Sequence, residues 1–284
     1  MSDQNYDFLS ISEDFYSVQG EGATTGVPSY FIRLKDCNLA CGASAGDLKR
    51  VKESGRFNTD SGSFKGELHD NSQASWTCDS IPVWLFGEKK PFSYLFDKWK
   101  KETRNDGETL FEAIRTGKVN IIWTGGEPTM TRHQECISNF LERFLIDYGS
   151  DEFDVQNEIE TNGTNYINDN LFDWITQINC SAKLANSGMS KERRIKPDAI
   201  RRIKDHWNHW FKFVISTEDD IHEIFRDYIE PFDLNLRRVI CMPGLDSQEE
   251  FFERTNFVME SAKKYGFIGL TRNHIAAWGK VTGV

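Results

Sequence analysis

The amino-acid sequence predicts an α/β fold built on a parallel sheet, either open or closed into a barrel. Short apolar runs that end in loops alternate with segments whose apolar residues recur with the period of a helix, which is typical of βαβ units. The chain has 284 residues, a length that fits one α/β domain with some tens of residues left for insertions. We therefore expect residues 1–284 to form a single domain.

Six segments are predicted as strands. The clearest is 119–123 (VNIIW), a short apolar run that breaks at two glycines, as a buried parallel strand does. Helical periodicity is clearest in 92–99, 137–144 and 221–228, where apolar residues fall at i, i+3, i+4 and i+7. The other predicted strands are 28–34, 154–160, 177–181, 210–215 and 238–242.

Residues 42–77 depart from this alternation. They are rich in serine, glycine and mixed charge, and no apolar period persists through them. We predict that they form an insertion within the domain, as a long loop or a small excursion.

Composition excludes several classes of protein. A formal net charge of −10 argues against direct binding to nucleic acid, because proteins that bind its phosphates normally present a basic face. No apolar run approaches the ~20 residues of a membrane span, and the first residues (MSDQNYDF) are polar and acidic, unlike a signal peptide. We expect a cytoplasmic protein without a membrane partner, in a reducing compartment where clustered thiols more often bind metal than form disulfides.

Three of the six cysteines are candidates for a metal centre. Cys37 and Cys41 directly follow the strand predicted at 28–34, where catalytic groups of parallel α/β folds collect, and Cys78 follows the insertion. Three thiolates can hold three irons of a [4Fe–4S] cluster and leave the fourth iron open. A zinc site completed by a residue such as His69, or a merely structural cysteine pair, is an equally open alternative on spacing alone. The remaining cysteines lie singly in apolar surroundings and are interpreted as core residues: Cys136, Cys180 and Cys241.

A Gly-Gly-Glu-Pro motif at 125–128 follows the strand predicted at 119–123. Its two glycines allow a sharp turn and a close approach of the backbone to a ligand. We expect the carboxylate and the exposed carbonyls of this turn to bind an ammonium group, although an ordinary turn would explain the motif equally well.

Together these motifs resemble the radical S-adenosylmethionine superfamily, whose usual cysteine pattern is CxxxCxxC. Here 36 residues separate Cys41 from Cys78, so the third cysteine is identified by its Cys-Asp-Ser context. The segments 15–22 (FYSVQGEG), 31–39 (FIRLKDCNL) and 160–164 (ETNGT) resemble one family within it, the 7-carboxy-7-deazaguanine synthases. Ser-Ala-Lys at 181–183 departs from that family's usual Ser-Pro-Lys, and Ser80 replaces its usual threonine.

The resemblance implies a lyase that converts 6-carboxy-5,6,7,8-tetrahydropterin to 7-carboxy-7-deazaguanine with release of ammonia, in deazapurine biosynthesis of the queuosine type. It implies a partial (β/α) barrel with an insertion between the second and third cluster cysteines. It also implies a homodimer, an electron donor such as flavodoxin, and three cofactors: a [4Fe–4S] cluster, S-adenosylmethionine and Mg²⁺. Another radical S-adenosylmethionine enzyme, such as a glycyl-radical activating enzyme, and a non-catalytic iron–sulfur or zinc scaffold stay open as alternatives.

The resemblance also assigns the site residues. The cluster would be bound by Cys37, Cys41 and Cys78, and Mg²⁺ by the hydroxyl of Ser80, an oxygen ligand of the kind that Mg²⁺ prefers. S-adenosylmethionine would be bound by Thr77, Asp79, Gly125, Gly126, Glu127, Ser181, Ala182, Lys183, Met242, Pro243 and Gly244. The pterin would be bound by Val18, Gln19, Gly20, Glu21, Arg33, Thr124, His274 and Val284.

Overall fold

The computed structural model describes residues 7–54, 74–78, 80–244, 249–279 and 283 of the chain. Within them the strands are β1 (Phe8–Val18), β2 (Pro28–Leu34), β3 (Glu88–Pro91), β4 (Asn120–Gly125), β5 (Asn157–Thr161), β6 (Gln177–Cys180), β7 (His209–Ile215), β8 (Val239–Pro243) and β9 (Ile268–Gly269). They form one sheet in the order β3-β1-β2-β4-β5-β6-β7-β8-β9. The pairs from β2 to β9 are parallel, whereas β1 runs antiparallel to β2 and to β3. The predicted α/β class is confirmed.

Helices connect the strands and cover the sheet. They are α1 (Ala45–Ser54), α2 (Ile81–Trp84), α3 (Phe92–Lys101), α4 (Leu110–Arg115), α5 (Thr131–Tyr148), α6 (Asp169–Phe172), α7 (Lys191–Arg194), α8 (Pro197–Lys204), α9 (Glu218–Ile224), α10 (Glu230–Phe232), α11 (Phe251–Tyr265) and α12 (Asn273–Trp278). Single helical turns occur at Ala185–Ser187, Phe225–Ile229 and Leu236–Arg238, the second of them a π turn. In the described ranges no helix has the length and apolar character needed to cross a membrane.

The six predicted strands correspond to β2 and β4–β8, with ends that differ by up to three residues. The strand predicted first, at 28–34, is the second in the chain, because β1 precedes it and pairs with it. Only the first half of β1 carries buried apolar side chains, Leu9 and Ile11, whereas the residues after the bulge at Ile11–Glu13 are half-buried or exposed. Without an alternating apolar pattern along its length, β1 does not stand out as a strand in the sequence.

The predicted insertion, 42–77, begins with helix α1. Residues 55–73 of this segment lie outside the described residues. The single-domain organisation and the character of the insertion therefore stay predictions.

An aromatic cluster holds helices α3 and α5 on the sheet. The rings of Phe96 in α3 and Phe140 in α5 stack with their centroids 4.9 Å apart. Phe140 also meets Trp123 of β4, and Trp99 of α3 meets Tyr30 of β2, both edge to face, at 5.5 and 5.4 Å. Full burial of one such side chain stabilises the fold by about 1.5–3 kcal/mol. The helical periods read from the sequence are thus the core-facing stripes of these helices.

Two glycines lock the loops that follow β2 and β4 onto each other. Gly125 has a φ of +95°, and a Cβ atom added at Gly126 would lie 1.7 Å from the carbonyl oxygen of Asp36. The Gly126 N–H donates to the Leu34 carbonyl at 2.8 Å. The backbone therefore turns here in a way that only glycine allows, and the segment leading to Cys37 is fixed against the Gly-Gly-Glu-Pro turn.

Candidate active site

A cavity of about 310 Å³ opens where the parallel strands end. Its lining includes almost every predicted site residue that the structure describes. The exceptions are Ala182 and Pro243, which are buried but do not line the cavity. Each sits between two lining residues, because side chains of extended backbone alternate in direction. Asp79 and Val284, and His69 of the zinc alternative, lie outside the described residues. The predicted set comes together in one place, while the roles assigned to it stay predictions.

The three candidate cluster cysteines lie on one wall of this cavity. The Cys78 N–H donates to the Cys41 carbonyl at 3.1 Å, so the third cysteine adjoins the second despite the insertion between them. The Asn162 amide donates to the Cys37 sulfur at 3.9 Å. Burial raises the pKa of the Cys37 and Cys41 thiols, that of Cys41 to about 12, so both are protonated in the metal-free chain.

The three thiols are not arranged around one metal position in this structure. Among the residues that the structure describes, no group of three or more His, Cys, Asp or Glu side chains is arranged to hold a metal ion. Three sulfur donors that open onto one cavity nevertheless fit iron in number and type. Binding would require Cys37 and Cys41 to lose their protons, because thiolates are the metal ligands.

The Glu127 carboxylate has a structural task. One of its oxygens accepts from Thr129 N–H and from the Thr161 hydroxyl, at 2.9 and 2.7 Å, and the other from Asn162 N–H at 2.7 Å. Burial raises the pKa of this carboxyl, and these hydrogen bonds oppose the rise. The carboxylate thus ties the loop after β4 to the loop after β5. Glu127 also lines the cavity, and its expected contact with an ammonium group stays a prediction.

Charged side chains of alternating sign line another part of the cavity. Lys212 Nζ lies 2.8 Å from Glu21 Oε2 and 3.7 Å from Glu160 Oε1, and Arg272 Nε lies 2.6 Å from Glu21 Oε1. Burial alone would raise the pKa of Glu21, but Lys212 and Arg272 bring it well below its usual value. The pKa of Lys212 is raised by its two carboxylates against the opposing effect of burial. Glu21 and Lys212 are therefore both charged at neutral pH.

Sequence reasoning assigned Glu21 but missed Lys212, Glu160 and Arg272 as site residues. A signal existed for Lys212, a lysine inside the apolar run FKFV, whose neighbours Phe211 and Phe213 are fully buried. Strand alternation turns Lys212 to the face opposite those two phenylalanines, which is the cavity.

Glu160 accepts hydrogen bonds from Thr124 and Gln19, the two uncharged polar side chains predicted beside the pterin. The Thr124 hydroxyl donates to Glu160 Oε2 at 2.8 Å, and the Gln19 amide donates to Glu160 Oε1 at 3.3 Å. On the opposite side, the Asn273 N–H donates to the Gly20 carbonyl at 3.0 Å, and His274 Nε2 lies 4.0 Å from Glu21 Oε1. Helix α12 therefore closes on the loop that carries Gln19, Gly20 and Glu21.

Arg33 already has an anionic partner within the protein. Its Nη1 lies 3.0 Å from Glu13 Oε2, and its Nη2 donates to the Ser80 hydroxyl at 2.9 Å. Glu13 thus supplies an anion for Arg33 within the protein, and the predicted contact of Arg33 with the pterin stays a prediction. A guanidinium this close to the Ser80 oxygen opposes the binding of a divalent cation there. The arrangement of Ser80 thus does not fit Mg²⁺.

Comparison with curated proteins finds relatives along nearly the whole chain. A 7-carboxy-7-deazaguanine synthase of Pyrobaculum aerophilum is 25% identical over 276 residues, which cover 97% of each chain. One of Aquifex aeolicus is 28% identical over 243 residues, 85% of this chain and 80% of its own. The chain is a homologue of these synthases. The predicted resemblance is confirmed, and so is the prediction of an enzyme related to the synthases. No family model matches the sequence.

One solved structure shares its fold with this chain. The crystal structure of QueE from Escherichia coli aligns with 94% of this chain and 95% of its own length, with a TM-score of 0.50 and 18% identity. At this identity the likeness concerns the fold, and the predicted fold class, the partial barrel, is confirmed by it.

Proposed function

We propose that this protein is a radical S-adenosylmethionine lyase that converts 6-carboxy-5,6,7,8-tetrahydropterin to 7-carboxy-7-deazaguanine with release of ammonia. The observation that carries the proposal is that three thiols and a Glu–Lys–Glu–Arg network share one cavity. The first set suits a cluster with an open iron, and the second suits a polar heterocycle. The relatives named as synthases, matched along almost the full chain, support the same reaction.

The cofactor end of the cavity is the wall of Cys37, Cys41 and Cys78. When bound there, a [4Fe–4S] cluster would supply the electron that cleaves S-adenosylmethionine into methionine and a 5′-deoxyadenosyl radical. Lys183, whose Nζ lies 2.8 Å from the Ser181 hydroxyl, would hold the carboxylate of S-adenosylmethionine. Gly125 and Gly126 also line the cavity, where their backbone would contact that ligand.

The substrate end is the network around Lys212. The carboxylates of Glu21 and Glu160 are acceptors suited to the amino and ring N–H groups of a pterin, and Lys212 pairs with both of them. Arg33 is the cation suited to the pterin carboxylate, which would compete with Glu13 for the guanidinium. Enclosure by α12 would keep water away from a reactive substrate radical.

Turnover of the defined substrate tests this proposal. The protein would be reconstituted anaerobically with iron and sulfide, then incubated with S-adenosylmethionine, a chemical reductant and 6-carboxytetrahydropterin. We expect 7-carboxy-7-deazaguanine, ammonia and 5′-deoxyadenosine to appear together. Formation of 5′-deoxyadenosine without any deazapurine would contradict the substrate, and a protein that binds zinc but no cluster would contradict the enzyme class.

The same resemblance supports a homodimer that receives its electron from a small redox protein such as flavodoxin. These partners are part of the proposal, and sedimentation together with reduction by flavodoxin in place of the chemical reductant would test them.

A further inference from the structure

The two segments that carry the candidate cluster cysteines meet at one loop, residues 184–188. The Gly42 N–H, next to Cys41, donates to the Ser187 carbonyl at 3.0 Å. The Ser75 N–H, three residues before Cys78, donates to the Asn186 carbonyl at 2.9 Å. This loop therefore contacts both sides of the break that the insertion makes in the cysteine motif.

The side chain of Asn186 joins three elements. Its Oδ1 accepts from the indole N–H of Trp76 at 2.9 Å, and its amide donates to the Val214 carbonyl in β7 at 3.0 Å. Trp76 is buried and packs with Leu39 and Cys41, with Cys37 and Cys78 at the edge of the same cluster. Through Trp76, Asn186 connects the segment of the third cysteine to the sheet.

The loop itself rests on a rigid base. The Ala185 N–H donates to Glu223 Oε1 at 2.9 Å, and Glu223 is paired with the buried Arg194 at 2.6 Å. The Tyr228 hydroxyl, from the π turn, donates to the Lys183 carbonyl at 2.6 Å. These buried contacts fix the loop independently of the cysteine segments, so it can act as their common support.

Close packing brings the two segments together directly. A Cβ atom at Gly42 would lie 2.4 Å from the Trp76 carbonyl oxygen and 2.5 Å from Thr77 Cα. Gly42 has a φ of +77°, in the region that favours glycine. The approach of Cys41 to Cys78 is thus built into the backbone at this point.

We propose that Asn186 is a positioning residue that holds Cys78 beside Cys41. In a CxxxCxxC motif the chain itself keeps the third thiol near the second, whereas here 36 residues lie between them. A connection of 36 residues does not by itself fix the third thiol beside the second, so non-covalent contacts must determine its position. The proposal rests on the proposed function only in that Cys78 then serves as a cluster ligand; the positioning is a property of the metal-free chain.

Trp76→Phe and Asn186→Ala test the proposal. Trp76→Phe keeps an aromatic ring but removes the indole N–H, and Asn186→Ala removes both side-chain hydrogen bonds. The chain offers matched controls at the far end of β7, where Asn208 Oδ1 accepts from the Trp210 indole at 3.0 Å and the Asn208 amide donates to the Thr176 carbonyl at 3.0 Å. Trp210→Phe and Asn208→Ala remove the same types of bond away from the cysteines.

The first measurement is hydrogen exchange of the Ser75 and Cys78 amides in the metal-free protein. Both variants lose the hydrogen bond between the Trp76 indole and Asn186, and this loss should accelerate local opening roughly three- to tenfold. The controls should leave these two amides unchanged and accelerate exchange only around residue 208. Unchanged exchange at Ser75 and Cys78 in both test variants would overturn the proposal.

The second measurement is the rate at which a chelator removes iron from the reconstituted protein. We expect faster removal from Trp76→Phe and Asn186→Ala than from the controls, at similar midpoints of thermal unfolding, and the double variant should be no faster than Asn186→Ala alone. Equal removal rates in test and control variants would overturn the proposal. If the unaltered protein takes up no iron while exchange still responds, the proposed function fails and the positioning of Cys78 stands.

Discussion

Lys212 and Glu21 form a buried ion pair of 2.8 Å that joins β7 to the loop after β1. The Lys212 side chain is 5% exposed, and the same ammonium group lies 3.7 Å from Glu160. Removing one member of a buried charged network leaves its partners uncompensated in a poorly solvated place, which costs several kcal/mol.

We therefore expect Lys212→Met to lower the free energy of unfolding by about 3 kcal/mol and to abolish turnover, because Glu21 and Glu160 lose their shared cation. Denaturant unfolding and product formation would measure both effects. Lys118→Met is the control, since Lys118 is 57% exposed and its pair with Glu108 should contribute less than about 1 kcal/mol. A Lys212→Met protein as stable as that control would contradict the assigned network.

The lowered pKa of Glu21 predicts how stability depends on pH. A carboxyl whose pKa is lower in the folded than in the unfolded chain stabilises the fold above its unfolded pKa, and this contribution is lost as the pH falls through the folded value. The stability difference between the unaltered protein and Glu21→Gln should be constant near neutral pH and shrink in acid. Urea unfolding of both proteins between neutral and acidic pH checks this, and a difference that grows in acid would refute it.

Replacing Arg33 is expected to impair turnover of the pterin without impairing binding of the cluster. Arg33→Ala should keep the cluster and should still cleave S-adenosylmethionine slowly in the absence of substrate. Its turnover efficiency should fall on the order of a hundredfold or more, because the pterin carboxylate loses its guanidinium partner. Arg33→Lys should recover only part of the activity, since an ammonium cannot form two parallel hydrogen bonds. Near-normal carboxypterin turnover by Arg33→Ala would remove Arg33 from the substrate site.

Replacements of Ser80 distinguish two roles for its hydroxyl, as a ligand of Mg²⁺ or as the hydrogen-bond partner of Arg33. If it binds Mg²⁺, Ser80→Ala should raise the Mg²⁺ concentration needed for turnover, whereas Ser80→Thr should change little because it keeps the oxygen. If it serves Arg33, as the 2.9 Å hydrogen bond indicates, Ser80→Ala should raise KM for the pterin and leave the Mg²⁺ dependence alone. We expect the second result from a titration of Mg²⁺ at fixed substrate.

The parts of the fold that the sequence predicts are those whose signal is local. Strand β4 contains a short apolar run, and the buried apolar residues of α3 and α5 recur with the period of a helix. Strand β3, with the sequence EKKP, and the two-residue β9 exist because neighbouring strands pair with them. No pattern within those few residues announces such pairing.

The same distinction applies to the candidate site. The cysteines and the Gly-Gly-Glu-Pro turn are recognisable because each motif is short and contiguous. The role of Lys212 depends on Glu21, 191 positions away in sequence, and the task of Glu127 depends on residues of the next strand loop. These relationships arise only when the strand ends assemble, so spacing along the chain cannot reveal them.

The central claim is that Cys37, Cys41 and Cys78 bind the cluster, and replacing each of them singly tests it most directly. Cys37→Ala, Cys41→Ala and Cys78→Ala should each lose most of the visible absorbance and bound iron after anaerobic reconstitution, and all cleavage of S-adenosylmethionine. The matched controls are the buried cysteines outside the cavity, as Cys136→Ala, Cys180→Ala and Cys241→Ala, which should keep the cluster. Full iron and absorbance in Cys78→Ala, with loss in one of the controls, would contradict the account.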